Sequence, residues 1–162
     1  MDIASASTMA GHISIDWAIV VAVFGVFAFD GYQSGAARAS AFSLAALLAS
    51  AIMPLLARAW VIGGIVEGLA IPHASAIIFA VLTGGLYVFA RRMTEAFGFG
   101  MGGILSALIT GIGATGIVLA VWIGTPALAS LWHFAALASF FGEASRFYWV
   151  MIGIALLALA RG

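Results

Sequence analysis

The sequence predicts an all-α fold, a polytopic membrane bundle of four to five transmembrane helices, and three observations carry that reading. Of 162 residues, 65% are apolar and 7% charged, with a mean hydropathy of +1.22; a water-soluble domain is roughly half apolar and a quarter charged. The apolar residues fall in runs long enough to cross a bilayer core of about 30 Å, which takes about 20 helical residues. Those runs stop at charge or proline, as at Arg91 with Arg92 and at Pro126.

Residues 1–162 read as one integral membrane domain with a short polar lead over 1–12, containing Ser5, Ser7 and Thr8. The amino terminus carries Asp2 in place of a basic stretch and has no cleavage-site pattern, so the first helix is expected to be retained. Four runs qualify as spans: 13–29, 39–56 with Pro54 near its end, 74–90, and 101–123. The 60–71 segment is only about 18 Å long if helical. It holds Glu67 and three glycines and ends at Pro72, which suits an interfacial or re-entrant piece. Beyond Pro126, 127–141 is expected to be interfacial and 147–160 a short fifth span, with the reverse assignment open.

Arginine placement orients the chain, because cytoplasmic loops carry the excess of basic residues. With five spans and the amino terminus outside, Arg38, Arg91, Arg92 and Arg161 fall inside and Arg58 and Arg146 outside. Trp17, Trp60, Trp122, Trp132 and Trp149 fall mostly near span ends, where indoles anchor at the interface. No internal repeat supports an inverted-repeat transporter.

Composition also excludes function classes. Six acidic groups balance six arginines, and no lysine is present, so no net field recruits nucleic acid. The absence of cysteine removes disulfides, thiolate catalysis and thiolate metal sites. No Ser–His–Asp arrangement and no HExxH spacing is present, so an enzyme is not expected. Two histidines on different helices, His73 and His133, could in principle hold a haem, but both lie near span ends where imidazole is readily hydrated. No cofactor is therefore expected. The glycine-rich 97–103 stretch lacks the GxxxxGK[ST] pattern of a phosphate loop.

Small residues recur at helix-packing spacing: Gly31 with Gly35, Gly64 with Gly68, Gly98 with Gly102, and the cluster Gly111, Gly113, Gly116. The cluster predicts a tight helix contact that Gly113→Leu breaks and Ile117→Leu, which conserves volume, leaves alone. The polar candidates are Asp16, Asp30, Arg38 and Glu67. If Asp16 caps the first helix, the helix must run on toward Gly35 and carries Asp30 into the membrane, a functional position by default. If it begins at residue 12 or 13, Asp30 is an interfacial flank. Two spans within residues 13–56 force a tight turn near Gly35. That turn sets Asp30 and Arg38 on opposite limbs, where an ion pair would fix the hairpin while Gly31 and Gly35 let the limbs approach.

The opening Ile15-Asp16-Trp17-Ala18-Ile19, Gly35-x-x-Arg38 before a helix beginning near Phe42-Ser43-Leu44, and a glycine-rich fourth helix resemble the colicin V production protein (CvpA) family. The likeness covers residues 13–123. It departs at Ala39, where an acidic residue commonly follows the arginine, and at Thr115-Gly116, where Arg-Gly is expected. The resemblance implies a multi-pass inner-membrane protein tied to export or envelope homeostasis, partnered by the lipid bilayer and by further copies or other membrane proteins. The alternative is a small channel or transporter subunit using Asp30 and Glu67 as intramembrane carboxylates.

Overall fold

In a computed structural model of the chain, residues 15–56, 72–95, 103–137 and 139–161 are described. The readings placed on the 1–12 lead, on Arg58, Trp60 and Glu67, and on the Gly64–Gly68 and Gly98–Gly102 pairs lie outside them. The described elements are helical throughout: α1 (Ile15–Ser34), α2 (Ala36–Leu56), α3 (Pro72–Glu95), α4 (Ile104–Gly124), a four-residue α5 (Pro126–Ala129), a 3-10 turn (Ala135–Leu137) and α6 (Glu143–Leu159).

α1, α2, α4 and the Ala74–Arg92 portion of α3 are each long and apolar enough to cross a bilayer. α6, at 17 residues, is shorter. It nevertheless runs antiparallel along the whole of α4, from Arg146 beside Gly124, through Gly153 beside Gly113, to Ala160, whose carbonyl accepts from the Ser106 hydroxyl at 3.4 Å. α6 thus lies beside α4 over the length of that span. The chain is a multi-pass membrane protein.

The helices outrun the apolar runs. α1 continues through Asp30 and Gly31 to Ser34, five residues beyond the expected end at 29. α2 starts at Ala36, and Gly35 alone joins them with φ of 68°, a left-handed conformation that glycine adopts without a Cβ penalty. α3 passes through Arg91 and Arg92 to Glu95, since arginine is a good helix former and its stem reaches the interface. The 127–141 segment, expected at the interface, holds no long helix among its described residues. The segment is the short α5, begun by Pro126 at its first turn, then turns and the 3-10 turn, and α6 begins at Glu143 ahead of the expected 147.

α4 is the central helix, with 61% of its span buried against 11% for α1 and for α3. It packs on α1, α2 and α6, while α3 leans chiefly on α2. Small and branched residues meet at the centre, including Ala39, Ala46 and Ala49 of α2 and Ala114, Ile117 and Val121 of α4. Such close backbone approach is what drives helix association in lipid. The antiparallel order gives the bundle two ends. One, the Gly35 end, carries Arg38, Arg91, Arg92 and Arg161; the other, the Pro126 end, carries Asp16, Glu143 and Arg146.

Candidate functional site

At the Gly35 end, Arg38 Nη1 lies 3.7 Å from Asp30 Oδ1, with the arginine side chain 50% and the aspartate 30% exposed. The Ser34 hydroxyl donates to the same Oδ1 at 3.5 Å. Asp30 sits four residues, about 6 Å of rise, from the end of α1, so it is an edge group even though the helix runs on past Gly31. Half-exposed pairs at this separation contribute about 0–1 kcal/mol. The turn is therefore set by the backbone of Gly35, and the ion pair is a weak clasp across it. A double-mutant cycle over Asp30→Ala and Arg38→Ala should return a coupling of no more than about 1 kcal/mol. A coupling of several kcal/mol in thermal melts would show a desolvated pair instead.

Gly31 serves a different contact from the one expected. A Cβ there would lie 2.9 Å from Thr110 Cβ and 3.3 Å from Ala107 Cα, so this glycine admits α4, not the second limb of the hairpin. The α4 cluster divides between two neighbours. Gly111 faces Phe24 and Ala28 of α1, whereas Gly113 faces Gly153, Leu156 and Leu157 of α6 and Gly116 faces Trp149.

At the Pro126 end, Asp16 is only 6% exposed. Its carboxylate accepts from the Trp132 indole N–H at 3.2 Å and from the Ala136 backbone N–H at 3.0 Å. The Trp122 indole donates to the Trp132 carbonyl at 3.2 Å, and the Trp149 indole to the Phe140 carbonyl at 2.9 Å. Three indoles and one carboxylate thus hold the irregular connection between α5 and α6 across the ends of α1, α4 and α6. Beneath it Phe134, Leu137 and Phe141 are buried against Leu119 and Ala120. Tryptophans at span ends are legible in the sequence as anchors; a partnership between residues 116 positions apart leaves no spacing signal.

Among the described residues, no group of three or more His, Asp or Glu side chains is placed to hold a metal ion. Four buried hydroxyls, those of Ser43, Thr83, Thr110 and Thr115, make no hydrogen bond. They are spread over α2, α3 and α4, and His133 is exposed at the Pro126 end, so no nucleophile–base pair forms with it. Comparison of the chain with protein-family models, with curated proteins and with solved structures finds no match.

Proposed function

We propose that the chain is a non-enzymatic bacterial inner-membrane protein, similar to the colicin V production family, that serves export or envelope homeostasis by associating with other membrane proteins or further copies of itself. One observation carries this reading: two of its four longest spans commit little of their surface to the bundle. Val21, Val26 and Phe29 of α1 and Ile77, Val81 and Phe89 of α3 are between 63% and 71% exposed. Such faces meet lipid or another helix, and helices in lipid associate through shape and close packing. Every acidic position among the described residues (16, 30, 95 and 143) lies within about one turn of a helix end. The channel reading is thereby left without a mid-bundle carboxylate among them.

Because the native chain has no cysteine, single replacements give a clean test. Val21→Cys or Val81→Cys, oxidised in native membranes, should yield disulfide-linked dimers or adducts. A protein that stays uncrosslinked at both positions and conducts protons in proteoliposomes would overturn the reading. In the same background, an impermeant thiol reagent on intact cells should label Ser130→Cys and spare Gln33→Cys, both exposed sites. The opposite pattern reverses the amino-terminus-out orientation.

A further inference from the structure

A cavity of about 710 Å³ lies at the Pro126 end between α2, α3, α4 and α6. Its walls are amphipathic. Leu47, Met53, Val121 and Val150 make apolar walls, exposed Phe147 borders them, and Arg146 stands at the rim with Glu143. Pro54, which also lines the space, has no N–H to give the Ser50 carbonyl, so Ser50 contributes an acceptor without a helix donor.

Arg146 is held in place by packing. Its Nη1 lies 2.6 Å from where a Cβ on Gly124 would be, so the absence of a side chain at 124 lets the guanidinium rest against the end of α4. Helix carbonyl ends favour a cation there. Its carboxylate neighbour holds it loosely: Nη2 and Glu143 Oε1 are 3.7 Å apart, and Glu143 is 94% exposed while Arg146 is 28% exposed. A guanidinium has five N–H donors in a fork that matches phosphate, and at this distance Glu143 takes up little of that capacity.

We propose that this cavity binds an anionic diacyl phospholipid, its phosphate on Arg146 and an acyl chain along Leu47, Val121 and Val150. Charge and polarity select this occupant. A free anion would leave the apolar walls uncovered, an uncharged chain would leave Arg146 unused, and the site lies at the helix ends, where α4 stops and α6 starts.

The test is native mass spectrometry of the full chain released from micelles containing equal phosphatidylglycerol and phosphatidylethanolamine. The wild type should carry phosphatidylglycerol preferentially. Arg146→Gln should lower that preference about tenfold, because both lipids offer the same phosphate and it is the guanidinium charge that disfavours the ethanolamine ammonium, and Arg146→Lys, which keeps the charge, should keep most of it. Glu143→Gln, at a position too exposed to unfold the bundle, should raise the preference about twofold by removing the competing carboxylate. Arg92→Gln, exposed at the opposite end, should leave it unchanged. An unchanged preference in both Arg146→Gln and Glu143→Gln, an equal fall on Arg92→Gln, or displacement of the lipid by millimolar inorganic phosphate would each overturn the proposal.

Discussion

Gly153→Leu should dismantle the α4–α6 pair and lower the melting temperature in detergent more than replacement of any other helical glycine among the described residues. A Cβ at 153 would stand 2.5 Å from Ile117 Cγ1 and 2.8 Å from the Gly113 carbonyl oxygen. From the other side, a Cβ at 113 would stand 3.0 Å from the Gly153 carbonyl and 3.1 Å from Leu156 Cβ. The obstacle in each direction includes backbone, which no rotamer change can move aside. Forced insertion into a packed core costs about 1–3 kcal/mol and occasionally more, and in lipid no hydrophobic term between helices offsets it. Gly113→Leu should follow Gly153→Leu closely. Gly116→Ala should be mild, because its new methyl would meet the Trp149 ring at 3.4 Å, near ordinary contact. Gly84→Ala, with nothing within 4 Å, should match or slightly exceed the wild type, since alanine is the better helix former. Ile117→Leu is not the neutral control that volume alone suggests. Ile117 is 1% exposed and its Cγ1 is the atom pressed against Gly153, so moving the branch point changes that contact. If Gly153→Leu and Gly84→Ala melt together, the α4–α6 contact is not what holds the bundle.

How far the sequence can be read follows from the range of each interaction. Hydropathy over about 20 residues reports what a segment is dissolved in, which is why the four long spans and their order are legible. It does not report where hydrogen bonding stops. The helical ends at Ser34 and Glu95 fall several residues past the apolar runs because Asp30, Arg91 and Arg92 extend a helix into the interface without breaking it. The turn at Gly35 is legible for a reason of arithmetic: two spans within 13–56 leave almost no linker, and glycine is the residue that turns a chain in one step. Spacing alone assigns Gly111, Gly113 and Gly116 to packing but not to partners, and those partners prove to be two different helices. Gly153, the residue facing Gly113, is a lone glycine in α6 with no companion at four-residue spacing within that helix. Its meaning exists only once α4 and α6 are side by side.

Asp16→Ala should release the connection between α5 and α6 while leaving the crossing helices in place. The carboxylate is buried and accepts two hydrogen bonds, from the Trp132 indole and the Ala136 amide. Hydrogen bonds to a charged acceptor contribute about 1.5–3 kcal/mol each, and removing the acceptor leaves the half-buried Ala136 amide without a partner, while the Trp132 indole, 39% exposed, loses less. Asp16→Asn is nearly isosteric yet should recover only part of the loss. An amide has one acceptor oxygen, and its NH2 would face one of the two donors. The effect should be local, because the helices beneath are held by other contacts: α1 by Gly31 and Gly111 against α4, and α6 by Gly153 against Gly113. Two measurements separate local release from global unfolding. Amide exchange at 132–137 should speed up by about tenfold or more in Asp16→Ala, as loss of at least one such bond implies, while exchange in the middle of α4 stays slow. The Trp132 indole N–H resonance, read by NMR with Trp122 and Trp149 left in place, should lose the downfield shift that a hydrogen bond to the carboxylate gives it. Unchanged exchange at 132–137 would mean that Trp122 and Trp149, through the Trp132 and Phe140 carbonyls, hold the segment without the carboxylate. Faster exchange throughout α4 would mean that Asp16 supports the whole bundle and is not a local latch.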